Sequence, residues 1–189
     1  MTLNLKNFLN PKIKMSKMGE FQELKPIEGL EISSLSADLY KDGRDDISLF
    51  HFKDGANFAA IYTTSKVTSA SINWNLKTKR HFVKGLLVNT QNANTFTGIR
   101  GAQGLKEVAQ TLSKSLTLRS SQSPKGVRDI VKLTDLLFAS TGVIGEEFPY
   151  LKIKNRIPEL VKKLRAEQNK YVWFKTASAI MTTDTRPKL

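Results

Sequence analysis

Cysteine is absent from this chain of 189 residues. Its absence excludes disulfides, thiol catalysis and cysteine-bound zinc, and it leaves the cytosol as the default compartment. Histidine occurs only at positions 51 and 81. His51 lies inside an apolar run and reads as a packed core or edge residue. His81 follows Lys79 and Arg80 and reads as part of a solvated basic turn. Neither fits a metal set, and no third histidine exists to complete one. No run of about 18 apolar residues occurs, so no membrane-crossing helix is expected. The opening residues Met1-Thr2-Leu3-Asn4-Leu5-Lys6 lack the apolar core of a signal peptide. Gly98, Gly101 and Gly104 are not followed by Lys-Ser/Thr, so there is no phosphate-cradling loop, and the dinucleotide fingerprint is missing too. No Gly-x-Ser-x-Gly elbow is present.

What remains is a chain with enough apolar residues, 40%, to build a core. Its length suits one domain, with an extension. The net charge of +13 is uneven. Residues 1–60 hold 8 basic and 9 acidic side chains, whereas residues 61–189 hold 22 basic and 8 acidic. A basic half can attract nucleic acid or other anions. Here the basic residues are spread through helices and turns with few aromatics among them, which speaks against single-stranded nucleic acid. A solvated surface, or one facing an acidic partner, is the simpler reading.

Residues 1–26 are polar with scattered apolar positions and read as a poorly ordered N-terminal extension; the domain itself is placed at 27–189. A first short strand is expected over Ile27–Ile32 and a second over Asp45–Phe52. Asp54-Gly55 is then expected as a turn, leading into a strand over Phe58–Thr64. Gly85–Thr90 is wholly apolar until its end, as in a strand buried on both faces. Leu105, Val108, Ala109, Leu112 and Leu116 recur at helical spacing, and Ser120–Gly126 breaks that helix. Ile130, Leu133, Leu136 and Leu137 mark a second helix or a helix running into a strand. Ile157, Leu160, Val161 and Leu164 mark a third, with Pro158 in its first turn and Glu159 four residues before Lys163. A fourth helix is expected from about Val172 to Ile180. Strands first and helices later indicate an α+β fold.

Three polar clusters follow apolar runs: Gln91–Gly98, Ser140–Gly145 and Thr182–Thr185. Gly142 would let a ligand approach the backbone, and its N–H beside the Thr141 hydroxyl could serve a developing oxyanion. The Thr/Asp cluster could bind an amine or amide of a small substrate. Taken singly, each cluster is better explained as helix capping or turn structure.

Together, and in order, the clusters resemble a known family. Leu87-Val88-Asn89-Thr90-Gln91-Asn92-Ala93-Asn94-Thr95-Phe96-Thr97-Gly98, then Ala139-Ser140-Thr141-Gly142-Val143-Ile144-Gly145-Glu146, then Ala179 to Lys188 are similar to the N-terminal half of the bifunctional ornithine acetyltransferase / glutamate N-acetyltransferases of arginine biosynthesis. Asp42–Ile47 and Ala60–Val67 are weaker matches, and the resemblance spans residues 27–189. It implies a layered sheet-and-helix sandwich of the self-cleaving ornithine acetyltransferase / aminopeptidase type, incomplete without a β-chain. The implied chemistry moves an acetyl group from N-acetylornithine to glutamate through an acetyl-threonine. The nucleophile would be the N-terminal threonine of the β-chain, in an α2β2 assembly. By the same resemblance Thr141 and Gly142 form the oxyanion hole and Thr182 contacts substrate. No cofactor or metal is implied; acetyl-CoA enters only as an acetyl donor. The cleavage-site Ala-Thr pair expected after Pro187-Lys188 is absent, so 27–189 is read as an α-chain domain stopping short of that site. Gln91 stands where the family pattern has glycine, and Phe96 where it has cysteine; the glutamine argues against close packing at that loop. The alternative reading is an inactive remnant acting as a basic binding module. A self-cleaving aminopeptidase relative is a third, which the threonine loops fit less well.

Overall fold

A computed structural model describes residues 24–78, 81–121, 129–185 and 187. The proposed extension 1–26 therefore falls almost wholly outside the described residues, as does most of the Ser120–Gly126 break. Four strands form one sheet in the order β1 (Leu30–Leu35), β2 (Ile47–Asn57), β3 (Phe82–Asn89), β4 (Leu136–Ser140). β1–β2 and β2–β3 pair antiparallel, and β3–β4 pair parallel. The parallel step needs a long crossover, which α2 (Gly98–Ser121) supplies. The arrangement is α+β, as the sequence pattern predicts.

Period-two alternation sends Leu35, Ile47, Leu49, Leu87, Leu136 and Phe138 to one face, where they join Leu105, Val108, Leu112 and Leu116 of α2 in the core. α3 (Tyr150–Lys162) adds Ile153, Ile157, Leu160 and Val161. A Cβ on Gly104 would lie 2.8–2.9 Å from the Tyr150 side chain, so glycine there lets α2 and α3 meet closely. α4 (Lys170–Ala179) lies over the other face at β1 and β2, where Ser34 Oγ donates to Thr176 Oγ1 at 3.3 Å.

Both sheet edges are closed by groups that imitate a neighbouring strand. On β1, Ile32 exchanges two backbone bonds with Arg165 (3.0 and 3.2 Å), and Gln168 Nε2 donates to Leu30 O at 2.9 Å. On β4, the short helix α1 (Ala70–Asn75) presents its last turn. Asn75 acts as a peptide group: its Oδ1 accepts from Phe138 N (3.0 Å) and its Nδ2 donates to Phe138 O (2.8 Å). Trp74 Nε1 donates to Leu136 O at 3.0 Å. Such closure blunts edge-to-edge association.

Three expectations need correction. Asp54-Gly55 does not turn the chain: β2 continues through an irregularity to pair Ala56 with Val83 and Asn57 with Phe82. Gly55, at φ +76°, packs under the Phe82 ring, which a Cβ would strike at 2.0 Å. Turn residues thus make a bulge here. Phe58–Thr64 is accordingly no strand; beyond Phe58 N donating to His81 O (3.0 Å), it forms no ladder among the described residues. The segment 130–137 follows the second of its two expected forms, a short 3₁₀ helix, Leu133–Asp135, running into β4. Pro158 lies in the interior of α3, because Ile153 already belongs to the apolar stripe and the helix starts at Tyr150. The Glu159–Lys163 pair forms, at 2.7 Å. Helix α1 was not anticipated; Ser69 caps it, accepting from Ile72 N at 3.2 Å.

Candidate active site

The antiparallel and parallel pairings bring the ends of β3 and β4 together at one end of the sheet, where Asn89 lies opposite Ser140. Chain polarity alone thus delivers two of the three polar clusters to the same place. Thr141 N donates to Asn89 O (3.0 Å) and Val143 N to Gln91 O (2.8 Å). Ala93 N returns a bond to Val143 O (2.9 Å), and Gly145 N reaches Thr95 O (2.9 Å). The 141–145 loop is therefore laid along 89–95 by its backbone.

Gly142 is required for that contact. Its φ is +138°, and a Cβ would fall 2.2–2.6 Å from the backbone of Gln91 and Asn92. Close packing is therefore kept, contrary to the expectation drawn from Gln91. Gln91 itself sits at φ +73°, a left-handed conformation that costs a non-glycine residue about 1–2 kcal/mol. Asn94 and Phe96 are also left-handed, at φ +50° and +60°.

The amides of this loop are spent on structure. Asn92, fully buried, donates to Glu146 O (3.1 Å) and Glu147 O (3.2 Å) and accepts from Asn94 N (2.8 Å). Asn94 Oδ1 accepts from Thr97 Oγ1 at 2.7 Å. A hydroxyl chain closes the end of the sheet. Ser140 Oγ donates to Asn89 Oδ1 (2.7 Å), so Ser71 must be the donor in its 2.7 Å bond to Ser140. Asn89 Nδ2 then bonds Asn92 O at 3.0 Å. The sequence reading missed Asn89, Ser71 and Ser140 as a set, because they are joined across the fold.

The element that leads into the third cluster is bonded by the next residue. Thr90 Oγ1 is shared between Asp46 O (3.1 Å) and Ala179 O (3.3 Å), the last residue of α4. Asp46 is itself fully buried, and its carboxylate accepts from Ala37 N and Leu39 N at 2.7 Å each. Burial pushes this carboxyl up, against the backbone N–H groups of Ala37, Leu39 and Tyr40 that draw it down. From Ala179 the chain runs through buried Met181 to half-buried Thr182 and exposed Thr183. Consecutive residues, Asn89 and Thr90, thus bond the Thr141 loop and the last residue of α4, three residues before Thr182, at one end of β3.

Within this frame some donors are unspent. Among the described residues, neither the Thr141 hydroxyl nor the exposed Gly142 N–H has a hydrogen-bond partner, and the Thr182 hydroxyl has none. Two adjacent free donors can receive an oxygen on which negative charge develops. A cleft of about 210 Å³ opens behind the same loops, between Phe96, Arg100, Gly145 and Tyr150, and includes none of the three. Among the described residues no group of three or more His, Asp or Glu could hold a metal ion, and no helix is long and apolar enough to cross a membrane. His51 is buried in β2, its Nδ1 2.9 Å from Glu31, and His81 is exposed, stacked obliquely on Phe58.

Known proteins share both sequence and fold. The arginine biosynthesis bifunctional protein ArgJ of Caulobacter vibrioides is 36% identical over 175 residues, covering 89% of this chain and 38% of that protein. That of Bartonella quintana is 34% identical over 179 residues, covering 94% and 39%. The chain thus spans less than half the length of these curated relatives. Crystallised ArgJ from Bacillus halodurans superposes with a TM-score of 0.70 at 24% identity, covering 84% of this chain and 74% of that one. Ornithine acetyltransferase from Mycobacterium tuberculosis, solved with ornithine, gives 0.73 at 21%, covering 86% and 83%. These two establish the fold. A model of the ArgJ family matches residues 31–189, and the chain belongs to the ArgJ family.

Proposed function

We propose that this chain is the α-chain part of an ArgJ acetyltransferase acting in arginine biosynthesis, working with a β-chain that carries an N-terminal threonine. The carrying observation is the pair of unspent donors at Thr141 and Gly142, held rigidly by the 89–95 loop. The coverage figures agree with a divided enzyme. The chain fills most of the chain in two solved relatives but under two fifths of the full curated sequences.

In this reading the threonine Oγ attacks the acetyl carbonyl carbon of N-acetylornithine, its proton passing to the threonine's own α-amine. The carbonyl oxygen gains charge and is met by Gly142 N–H and Thr141 Oγ–H. The amide C–N bond breaks, ornithine leaves with the proton, and an acetyl ester remains. The amine of glutamate then attacks that ester, with the same two donors serving the second tetrahedral intermediate; the ester C–O bond breaks, the amine's proton returns through the α-amine to the threonine Oγ, and N-acetylglutamate leaves. Thr182 contacts the substrate. Acetyl-CoA would enter the same way, as a donor whose thiol leaves. The α2β2 assembly and a cytoplasmic location go with this reading.

The alternative, a basic binding module, has weaker support. Lys154, Arg156 and Lys163 pair with Glu107 or Glu159 at 2.7–2.8 Å and form no unpaired stripe.

The test is acetyl transfer from N-acetylornithine to glutamate by the chain coexpressed with the portion of the C. vibrioides relative that it does not match. Activity is expected, and Thr141→Val should lower kcat by about a hundredfold, as loss of one oxyanion donor does. A complex that forms but transfers no acetyl would overturn the assignment.

A further inference from the structure

Strand-forming residues that lack a strand partner stand out in this fold. Phe58-Ala59-Ala60-Ile61-Tyr62-Thr63-Thr64 has the β-branched and aromatic content of a strand. It leaves the sheet directly from β2, with Phe58 N still on His81 O. Beyond that bond, none of its backbone groups is paired with another backbone group among the described residues, and the Ile61 side chain is fully exposed. Ala59, Ala60, Thr63 and Thr64 are exposed as well.

The rest of the molecule treats its backbone edges differently. Arg165 and Gln168 close β1, and Trp74 and Asn75 close β4. An exposed apolar segment with unspent backbone is a template for strand addition. A second feature points to a β-layer as its occupant. Phe50, Leu86 and Leu137 are cross-strand neighbours on the sheet face opposite α2, and they stay only half-buried because α4 packs chiefly over β1. Sheets bury such faces against another layer.

We infer that residues 58–64 form a strand completed by a strand from the portion of the ArgJ family sequence outside the matched stretch. That portion is the larger one, since the match covers 38% of the C. vibrioides protein. The inference rests on the proposed division into α and β parts and adds the place where they join.

Hydrogen exchange on the full chain, alone and coexpressed with the unmatched portion of the C. vibrioides relative, tests it. Alone, the 58–64 amides should exchange as unprotected groups. In the complex they should slow by about a hundredfold or more. Ala59→Pro and Ala60→Pro supply the second arm. Successive N–H groups point to opposite edges of a strand, so one of the two substitutions must delete a ladder bond. Neither N–H is bonded in the free chain, so both variants should fold, and one should weaken the complex at least about tenfold. A complex that forms while 58–64 stays unprotected, or that tolerates both prolines, overturns the strand and leaves the acetyltransferase reading standing. Failure of any complex to form overturns both. Protection of 58–64 in the chain alone, accompanied by dimerisation, overturns the occupant in favour of a second copy.

Discussion

The two ends of the sheet use polar residues in opposite ways. Toward one end, Glu31 on β1 lies opposite His51 on β2, buried under the C-terminal turn of α2. Its carboxylate takes His51 Nδ1 at 2.9 Å, Arg119 through both guanidinium nitrogens, and Lys53 at 3.6 Å. At the other end, Asn89 and Thr90 are equally buried and Ser140 half-buried, yet they frame a loop whose Thr141 hydroxyl and Gly142 N–H have no described partner. A saturated network holds shape. Unspent donors on a rigid frame are what a reaction can use. Polarity alone does not distinguish the two; the hydrogen-bond accounting does.

Breaking the saturated end should have the largest effect. Glu31→Ala strands Arg119 and His51, and removing one partner of a buried ion pair costs about 3–5 kcal/mol. Arg119 and Lys53 keep some solvent access, so about 3 kcal/mol is expected in urea unfolding. Acid should act through the same group. Burial raises the Glu31 carboxyl, but the His51 and Arg119 hydrogen bonds outweigh it and take its pKa from 4.5 to about 2. Below 4.5 the unfolded chain binds a proton that the folded chain refuses. The contribution is therefore full above that pH and is lost as pH falls towards 2. The wild-type slope of stability on pH over that window should be shallower by one proton in Glu31→Ala.

Next in size is the frame at the open end. Asn89→Ala removes the acceptor of Ser140 and the donor to Asn92 O, both inside the fold. Two such losses amount to about 2–3 kcal/mol. The prediction sharpens the contrast, because it requires the support of the free donors to be as saturated as the Glu31 cluster. A cost below about 0.5 kcal/mol in thermal or urea unfolding would show that the loop holds itself.

How much of this was legible in the sequence depends on range. Helices α2 and α4 and strand β3 are written in local periodicity, and they fold over the stretches that Leu105–Leu116, Val172–Ile180 and Gly85–Thr90 mark, whereas α3 begins seven residues before Ile157. β2 was misread because Asp54-Gly55 carries identical residues for a hairpin and for a bulge; only the Phe82 ring over Gly55 decides. α1 is too short for a period. Its Asn75 earns its place by bonding a strand 63 residues away. The polar clusters were visible, but alone each suited a cap or turn. The Asn89–Ser140 bond spans 51 residues, and no spacing rule reaches that far. Thr141 and Gly142 are visible in the sequence as a candidate pair of donors, and the family resemblance gives them the oxyanion role. The structure adds that their donors are unspent and that Gly142 is demanded by contact with Gln91.

That contact yields a prediction of opposite sign. Gln91 holds φ +73° at a position where glycine meets no penalty. Gln91→Gly should stabilise the chain by about 1 kcal/mol, the left-handed cost less the extra freedom of an unfolded glycine. Its side chain offers little in return, a 3.4 Å bond to exposed Glu146. Destabilisation in urea would mean that Gln91 supplies a contact beyond that bond.

The smallest expected effect lies at the residue most central to the proposed chemistry. Thr141 is half-buried and its hydroxyl has no described partner. Thr141→Val preserves the branched shape and deletes only that hydroxyl, so stability should change by under about 0.5 kcal/mol. Ser140→Ala, one residue earlier, breaks a bonded hydroxyl chain and should cost about 1–2 kcal/mol. Adjacent hydroxyls, one spent and one free, should therefore separate cleanly in the same unfolding experiment. If Thr141→Val costs as much as Ser140→Ala, the Thr141 hydroxyl is a structural group after all, and the distinction between the two ends of the sheet fails at the residue it depends on most.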